Sequence, residues 1–410
     1  MSVDIIKKKY NSFCKASNSN LKNDISISIN DDIFFSLSSN NKKIKHVTIN
    51  SAELTGKKLI TNHNKLCVAY TVIFNDQTVS EFEVKRRIIK RNINYFFDSF
   101  ALELFFILNS NLKIDTQNKK QKIENRKFQL PKKDIGNIFL NIYNKIINRF
   151  FRRDEWMIAY YEKNIQPHEV AKEFNNFTVL QNRKNQFSAD PFIIENDKGS
   201  YIFFEECPLK KGGKGILVCY DLNTDTSQTI IEEDYHLSYP NVFKIENNYF
   251  MIPQSENHCI DLYQAIQFPY QWEKCHTILK HGIFNFGDTN IYFNKNGKIQ
   301  ITTSAYDHVF NSNRLRIGWE IDNLFKSKIN INNSELLSMS DESSRNAGNH
   351  TDLTLFQECS SGYGGGLVQK NENNMTHIER PKNFIGMHTY NSSANYTVID
   401  IKKIRYGIYF

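Results

Sequence analysis

Carboxylic residues recur in this chain at a spacing that chemistry can use. Asp190, Tyr239 and Asp288 stand 49 residues apart, and each opens a 17-residue segment that closes on polar residues: Glu205 and Glu206, Gln254 and Ser255, Thr303 and Ser304. Cleaving or forming a glycosyl bond passes through an oxocarbenium-like transition state. One carboxyl group protonates or receives the leaving oxygen, and a second activates the nucleophile or stabilises the cation. Asp190, Glu205, Glu206 and Asp288 form the candidate catalytic set. Alternation along a strand puts Glu205 and Glu206 on opposite faces, so only one of them reaches a common site, and the sequence does not say which.

For residues this far apart to meet, the elements between them must repeat. Each of the three segments reads as a polar or aromatic starter, an alternating apolar strand, a turn of Asn, Asp, Lys or Gly, and a second apolar strand. Two looser segments, residues 345–368 and 386–399, keep the same two-strand rhythm. Further strands lie between them, over residues 215–222, 228–233, 261–266 and 315–321. Four antiparallel strands every 40 to 60 residues is the blade pattern of a β-propeller. The expectation is a mainly β chain: a five-bladed β-propeller over residues 154–410, with the strand at 156–161 completing the last blade so that no edge is exposed. A large β-sandwich is the alternative. In a propeller the innermost strands converge, so equivalent positions of different blades face one funnel.

Ahead of the propeller, residues 25–29, 33–35 and 68–74 alternate as strands and residues 83–108 read as a helix. Together they predict a smaller N-terminal α+β domain over 1–110. Residues 111–153 form a polar linker and then an amphipathic helix over 134–153, with Ile135, Phe139, Ile142, Tyr143, Ile146, Ile147 and Phe150 on one side and Lys145, Arg149, Arg152 and Arg153 on the other. That helix either docks on its own domain or lies on an anionic membrane surface.

Composition narrows the classes. Apolar residues make up 40% and aromatics 13%, with 31 Phe and 20 Tyr, which suits β-rich packing. A net charge of +8 suits an acidic glycan or a membrane surface as well as plain solubility. No aromatic and basic platform or RNA-module signature is present, so no nucleic-acid partner is expected. Seven scattered cysteines, never spaced as CxxC, argue against a disulfide framework and a zinc ribbon. No cofactor and no metal site are expected; His388 is the residue a funnel ion would use. The N-terminus lacks a signal-peptide pattern and no apolar run is long enough to span, so a cytoplasmic protein, peripheral at the inner membrane if the helix binds lipid, is the expectation.

Ser188-Ala-Asp-Pro-Phe192 followed by Tyr201-Ile-Phe-Phe-Glu-Glu206 resembles the opening blade of the five-bladed arabinanase-type glycoside hydrolases. Residues 156–402 resemble more closely the N-terminal domain family named after glucosamine inositolphosphorylceramide transferase. The phrases that carry this are His236-Leu-Ser-Tyr-Pro240, Pro253-Gln-Ser255, Leu262-Tyr263, Phe268-Pro269 with Trp272, Arg345-Asn-Ala-Gly348, Phe356-Gln-Glu-Cys-Ser-Ser-Gly-Tyr-Gly364, and His388-Thr-Tyr390 leading to Asp400. The match, with the blade positions, implies that His236, Tyr239, Gln254, Arg345, Gln357 and His388 bind substrate. Arg345 is the natural partner of an anionic group, because a guanidinium forks onto phosphate or carboxylate. The resemblance implies a bacterial setting, since bacterial members accompany surface-polysaccharide genes, and a carbohydrate-active protein: a glycosyltransferase or glycoside hydrolase-like enzyme acting on a glycan or sugar conjugate, or a non-catalytic glycan-binding or scaffold module. The family usually has Glu where Gln254 stands, which puts hydrolysis in question. Some relatives carry a formyltransferase-like domain in front. Residues 1–110 read as a degenerate remnant of it, without the Asn-His-Asp arrangement that formyl transfer requires.

Overall fold

A computed structural model describes residues 152–406, with breaks at 211, 295, 307–314, 327–328, 340–342, 349–354, 360–362 and 372–373, together with short N-terminal stretches. Those stretches include five strands, Ser26–Ser28, Phe35–Ser38, Ile44–Asn50, Lys65–Phe74 and Val79–Arg87, paired in chain order as one antiparallel sheet. The helix expected from Glu83 is corrected at its start: residues 83–87 continue the last strand, where Val79, Phe82 and Val84 favour extended backbone. Helical backbone is described at Glu103, Leu104 and Ile107. The amphipathic helix over 134–153 falls outside the described residues except at its end, where Arg152 and Arg153 begin a strand. No helix among the described residues is long and apolar enough to cross a membrane.

The rest of the described chain is built from four sheets that divide into five blades, called here I to V, the second and third being joined in one nine-stranded sheet. Blade I runs through Gln186–Asn196, Gly199–Pro208, Ile216–Asp221 and Thr226–Ile231. Blade II follows with Leu237–Ile245, Asn248–Ser255, Cys259–Gln267 and Gln271–Lys280. Blade III holds Asn285–Phe293, Ile299–Tyr306, Leu315–Ile321 and Glu335–Ser338, with Asn111–Leu112 added in parallel at its outer edge. Blade IV is Leu355–Glu358, Gly366–Asn371 and Asn374–Ile378, approached on its inner side by Asn346 through a bridge to Phe356. Blade V takes Tyr390–Ser392 and Thr397–Tyr406 from the end of the chain, then Arg152–Tyr161 and Thr178–Val179 from before blade I. The ten-residue register between Thr397–Tyr406 and Arg152–Tyr161 therefore joins the two ends of the ring.

Blades I and V are covered on both faces, which is why apolar residues stand at successive as well as alternate positions of their strands. On the second strand of blade I, Tyr201 and Phe203 pack with Tyr239, Val242 and Met251 of blade II. The alternate residues Ile202 and Phe204 pack with Ile158 and Val398 of blade V. Ala347, Leu355 and Leu367 of blade IV pack with Met157, Tyr390 and Ile399 of blade V. Blades II and III touch through the Ser255 and Phe286 pair, and blades III and IV through Arg345 and Asp288. Each blade thus has two neighbours, and the five make a closed propeller.

Candidate functional site

The innermost strands of blades I to III begin at Gln186, Leu237 and Asn285, so Asp190, Tyr239 and Asp288 lie inside those strands. At each of these positions the pairing register slips by a β-bulge, between Phe203 and Glu205 opposite Asp190, between Ser238 and Asn241, and between Gly287 and Asn290. Each of the three residues takes a left-handed backbone, with φ of 55° at Asp190, 46° at Tyr239 and 51° at Asp288. That conformation is strained for any residue with a Cβ, most of all an aromatic one. A bulge with this twist re-aims a side chain out of the ordinary alternation, and here it does so at the same point of three blades.

Side-chain amides hold the bulges in place. Asn241 Nδ2 donates to Thr289 O at 2.9 Å, Asn290 Nδ2 to Gly348 O at 2.7 Å, and Asn391 Nδ2 to Pro191 O at 2.7 Å. Each bond reaches from one blade to the next. Sequence reasoning missed this ring, although the signal was there: Asn241 and Asn290 sit two residues after Tyr239 and Asp288, and Asn391 two after Thr389.

The centre of charge lies between blades V and I. Asp400 Oδ1 accepts the backbone N–H groups of His388 and Thr389 at 2.8 and 2.9 Å, and its Oδ2 accepts that of Asp190 at 3.0 Å and the Nδ1–H of His388. Burial works against a charge on Asp400, yet His388 and these N–H donors hold its pKa below the ordinary carboxylate value. Asp190 fares differently. Its carboxylate accepts one hydrogen bond, from Thr389 Oγ1 at 2.8 Å, and lies 3.7 Å from His388 Nδ1. Burial pushes its pKa up to about 6 against the pull of His388, with Asp400 and Asp288 adding to the rise.

Glu205 and Glu206 part company. Glu205 is buried and faces His236, with Oε1 3.5 Å from Nε2. Burial first, then the charges of Asp190, Asp400 and Glu256, raise its pKa well above the usual range. Glu206 points to the opposite face and pairs with Arg183 at 3.1 Å. Of the two neighbours, Glu205 is therefore the one that joins the central group.

Asp288 and Arg345 are bound to each other. The guanidinium grips the carboxylate with two bonds, Nε to Oδ2 at 2.6 Å and Nη2 to Oδ1 at 3.0 Å, both side chains fully enclosed. Gln254 Oε1 accepts the Asp288 N–H at 3.2 Å and its Nε2 donates to the Tyr306 hydroxyl. The Tyr239 hydroxyl donates to Asn290 Oδ1 at 2.9 Å and accepts from Gly348 N at 2.7 Å, while Gln357 Nε2 donates to Asn346 O at 2.8 Å. Tyr239, Gln254 and Gln357 thus spend polar atoms on tying the inner strands together.

Two aromatic residues complete the surroundings of His388. Its ring stacks on Trp156 with centroids 4.0 Å apart, and its Nε2 lies 3.3 Å from the Tyr363 hydroxyl. Tyr363 is half exposed, and its ring also covers Arg345, with 4.5 Å from guanidinium carbon to centroid. Tyr363 therefore stands between the buried group and solvent. In the sequence it stood only within the phrase that ends at Gly364.

Two groups bring three ligating atoms within 4.8 Å of one another: Asp190, His388 and Asp400, and Glu205, Cys207 and His236. In both, the imidazole nitrogen turned to the carboxylate carries the proton. His388 Nδ1 donates to Asp400, and His236 Nδ1 accepts from Gly215 N at 2.9 Å, which leaves the proton of the neutral ring on Nε2. As arranged, each ring turns an N–H donor and not a lone pair toward its carboxylate. Burial and Glu205 also push the Cys207 thiol up to about 12, so it holds its proton as well.

A stretch of 93 residues, 22% of this chain, is 32% identical to glucosamine inositolphosphorylceramide transferase 1 of Oryza sativa subsp. indica, and 101 residues are 33% identical to the Arabidopsis thaliana protein of that name. These stretches span only 12% and 13% of the plant proteins. The bacterial setting that the resemblance implied is corrected by these matches, since the relatives are plant proteins. Among solved structures, the chain is similar to CoXyl43, a GH43 β-xylosidase/α-arabinofuranosidase from a compost microbial metagenome, at 10% identity and a TM-score of 0.35 over 53% of this chain and 90% of that one. It is also similar to a GH43_1 enzyme from Xanthomonas citri, at 8% identity and a TM-score of 0.36 over 54% and 86%. Residues 176–369, from the outer strand of blade V to blade IV, match the family described as "Glucosamine inositolphosphorylceramide transferase 1, N-terminal". That segment, somewhat less than half of the chain, is what resembles the N-terminal domain of glucosamine inositolphosphorylceramide transferase 1.

Proposed function

We propose that the propeller is carbohydrate-active and works on a glycosyl linkage at Asp190 and Glu205, in the assembly or trimming of a cell-surface glycan. The observation that carries this reading is that neighbouring carboxyl groups have been driven apart in acidity. Glu205 is raised far above the ordinary range, Asp190 sits at about 6, and Asp400 is held low. Such a separation is how two carboxyls acquire different tasks at one pH. With its pKa raised by burial and by the neighbouring carboxylates, Glu205 is the carboxylic acid of the pair. Its proton passes to the glycosidic oxygen as the bond from that oxygen to the anomeric carbon breaks. Asp190 is ionised, faces the developing oxocarbenium charge, and accepts the proton of the incoming nucleophile, water in hydrolysis or a hydroxyl group in transfer. Asp400 and His388 position Asp190 through its backbone N–H and its carboxylate. The plant relatives are named as transferases, which supports transfer.

A second reading, glycan binding without turnover, is favoured by the bidentate lock of Arg345 on Asp288 and by the amide of Gln254 where the family's usual residue is Glu. Asp190→Asn separates the two. It keeps the shape and suits the left-handed backbone, but it cannot accept a proton or carry charge. On a panel of sugar donors and oligosaccharides the catalytic reading expects unchanged binding and a rate loss of about a hundredfold to ten-thousandfold. Binding in the parent with no turnover on any member would leave the binding reading standing.

A further inference from the structure

The guanidinium expected to meet an anion, Arg345, is already neutralised by Asp288. A different arginine is left without a counter-charge. Arg316 lies on the third strand of blade III, beside Ser304 on one neighbouring strand and Ser338 on the other. Its guanidinium lies over the ring of Phe356 in blade IV, 4.2 Å from guanidinium carbon to centroid. Its Nε is enclosed and has no hydrogen-bond partner, and no carboxylate among the described residues forms an ion pair with it. The other enclosed cations fare otherwise: Arg345 has Asp288, and Lys402 has Asp154 and the Tyr363 carbonyl. Burial lowers the pKa of Arg316 to about 10, which still leaves it charged at neutral pH.

A partly buried, unpaired cation costs stability, and an apolar residue of similar volume would serve the blade contact better. The side chain is also held ready. Stacking on Phe356 fixes the plane of the fork, so that little freedom remains to be lost when a planar oxyanion arrives. Its place fits an extended ligand. Ser304, its partner on the neighbouring strand, donates to the carbonyl of Ser344, the residue before Arg345. Arg316 therefore lies one strand outward from the segment that carries Arg345.

We propose that Arg316 is an anion-recognition residue at the junction of blades III and IV, which takes a phosphate or carboxylate group carried by the sugar ligand. This rests on the glycan reading above. The two sources share one chemistry, two oxygens bridged by one guanidinium fork.

The test is titration calorimetry on the full chain at low ionic strength with glucose 1-phosphate, glucuronate and methyl glucoside, together with thermal melts in inorganic phosphate against chloride. The parent should bind one of the charged sugars about tenfold or more tighter than methyl glucoside, a preference of the size expected for a charge-assisted bidentate contact. A preference for glucose 1-phosphate assigns phosphate, and one for glucuronate assigns carboxylate. Arg316→Gln should abolish the preference and leave methyl glucoside binding unchanged, and Arg316→Lys should retain part of it. Both variants should melt no lower than the parent. Equal binding of charged and neutral sugars by the parent, or a preference that survives in Arg316→Gln, overturns the assignment. So does failure of both variants to fold, which would make the guanidinium a structural element. If no sugar binds but phosphate raises the melting temperature of the parent and not of Arg316→Gln, the anion site stands and the glycan reading falls.

Discussion

Replacing Asp190 by Asn should make the protein more stable at neutral pH. The carboxyl is raised from its ordinary value of 3.8 to about 6, chiefly by burial. That is about a hundredfold in proton affinity, and each tenfold is worth about 1.4 kcal/mol. A carboxyl whose pKa is raised on folding keeps its proton in the native state over a range where the unfolded chain has lost it. Stability from this group is therefore full below about pH 4, falls as pH rises from about 4 to about 6, and is about 3 kcal/mol lower at pH 7. Asn has no charge to desolvate, its carbonyl can still accept from Thr389 Oγ1, and it tolerates the φ of 55°. The variant should gain about 3 kcal/mol at pH 7 and nothing at pH 3.5. For a domain of this size that is roughly 6 to 12 °C in Tm. All three tryptophans, Trp156, Trp272 and Trp319, lie in blades V, II and III, so urea unfolding followed by their fluorescence reports on the propeller. A variant no more stable than the parent at pH 7, or one shifted equally at both pH values, would refute the placement of a costly charge at Asp190.

Arg345→Met should destabilise the fold by about 3 to 5 kcal/mol, because it leaves the Asp288 carboxylate enclosed and unpaired, and adding Asp288→Asn should restore most of the loss in a denaturant double-mutant cycle. Asn290→Ala should cost about 1 to 3 kcal/mol, since Gly348 O and the Tyr239 hydroxyl each lose a partner, measured by the same unfolding assay. Glu205→Gln should lower turnover of a poor leaving group by about a hundredfold or more and spare an aryl glycoside with a nitrophenol leaving group, which needs no proton. In the parent, the rate should rise through about pH 6 as Asp190 ionises, a limb that Glu205→Gln leaves in place.

The propeller was legible because blades repeat. A 49-residue register carried Asp190, Tyr239 and Asp288 to equivalent bulges, and the alternating runs around them became strands buried on both faces. The strand around Trp156 was readable as the closing piece because it precedes the first repeat and has no partner within it. Partnerships were harder. Nothing in the sequence shows that Arg345 would be consumed by Asp288, or that Glu205 and not Glu206 would face Asp190, because both outcomes depend on the twist at a bulge and on the neighbouring blade. Asp400 was visible only as the end of a phrase, yet it accepts three backbone N–H groups and orients His388. The start of the N-terminal helix was misplaced because a run such as Glu83-Val-Lys-Arg-Arg87 is compatible with either state, and pairing with Lys65–Phe74 decides for the strand.

The central claim is that Glu205, beside Asp190, keeps its proton where ordinary carboxyls have lost theirs and serves as the acid. Difference infrared spectroscopy of the carboxyl C=O stretch, recorded for parent and Glu205→Gln across pH 4 to 9, tests it without any substrate. A protonated-carboxyl band should outlast the ionisation of Asp190 near pH 6 in the parent, and that persistent part should be missing in Glu205→Gln. A parent with no such band above pH 6, or a band unchanged by Glu205→Gln, would contradict the assignment of Glu205 as the acid.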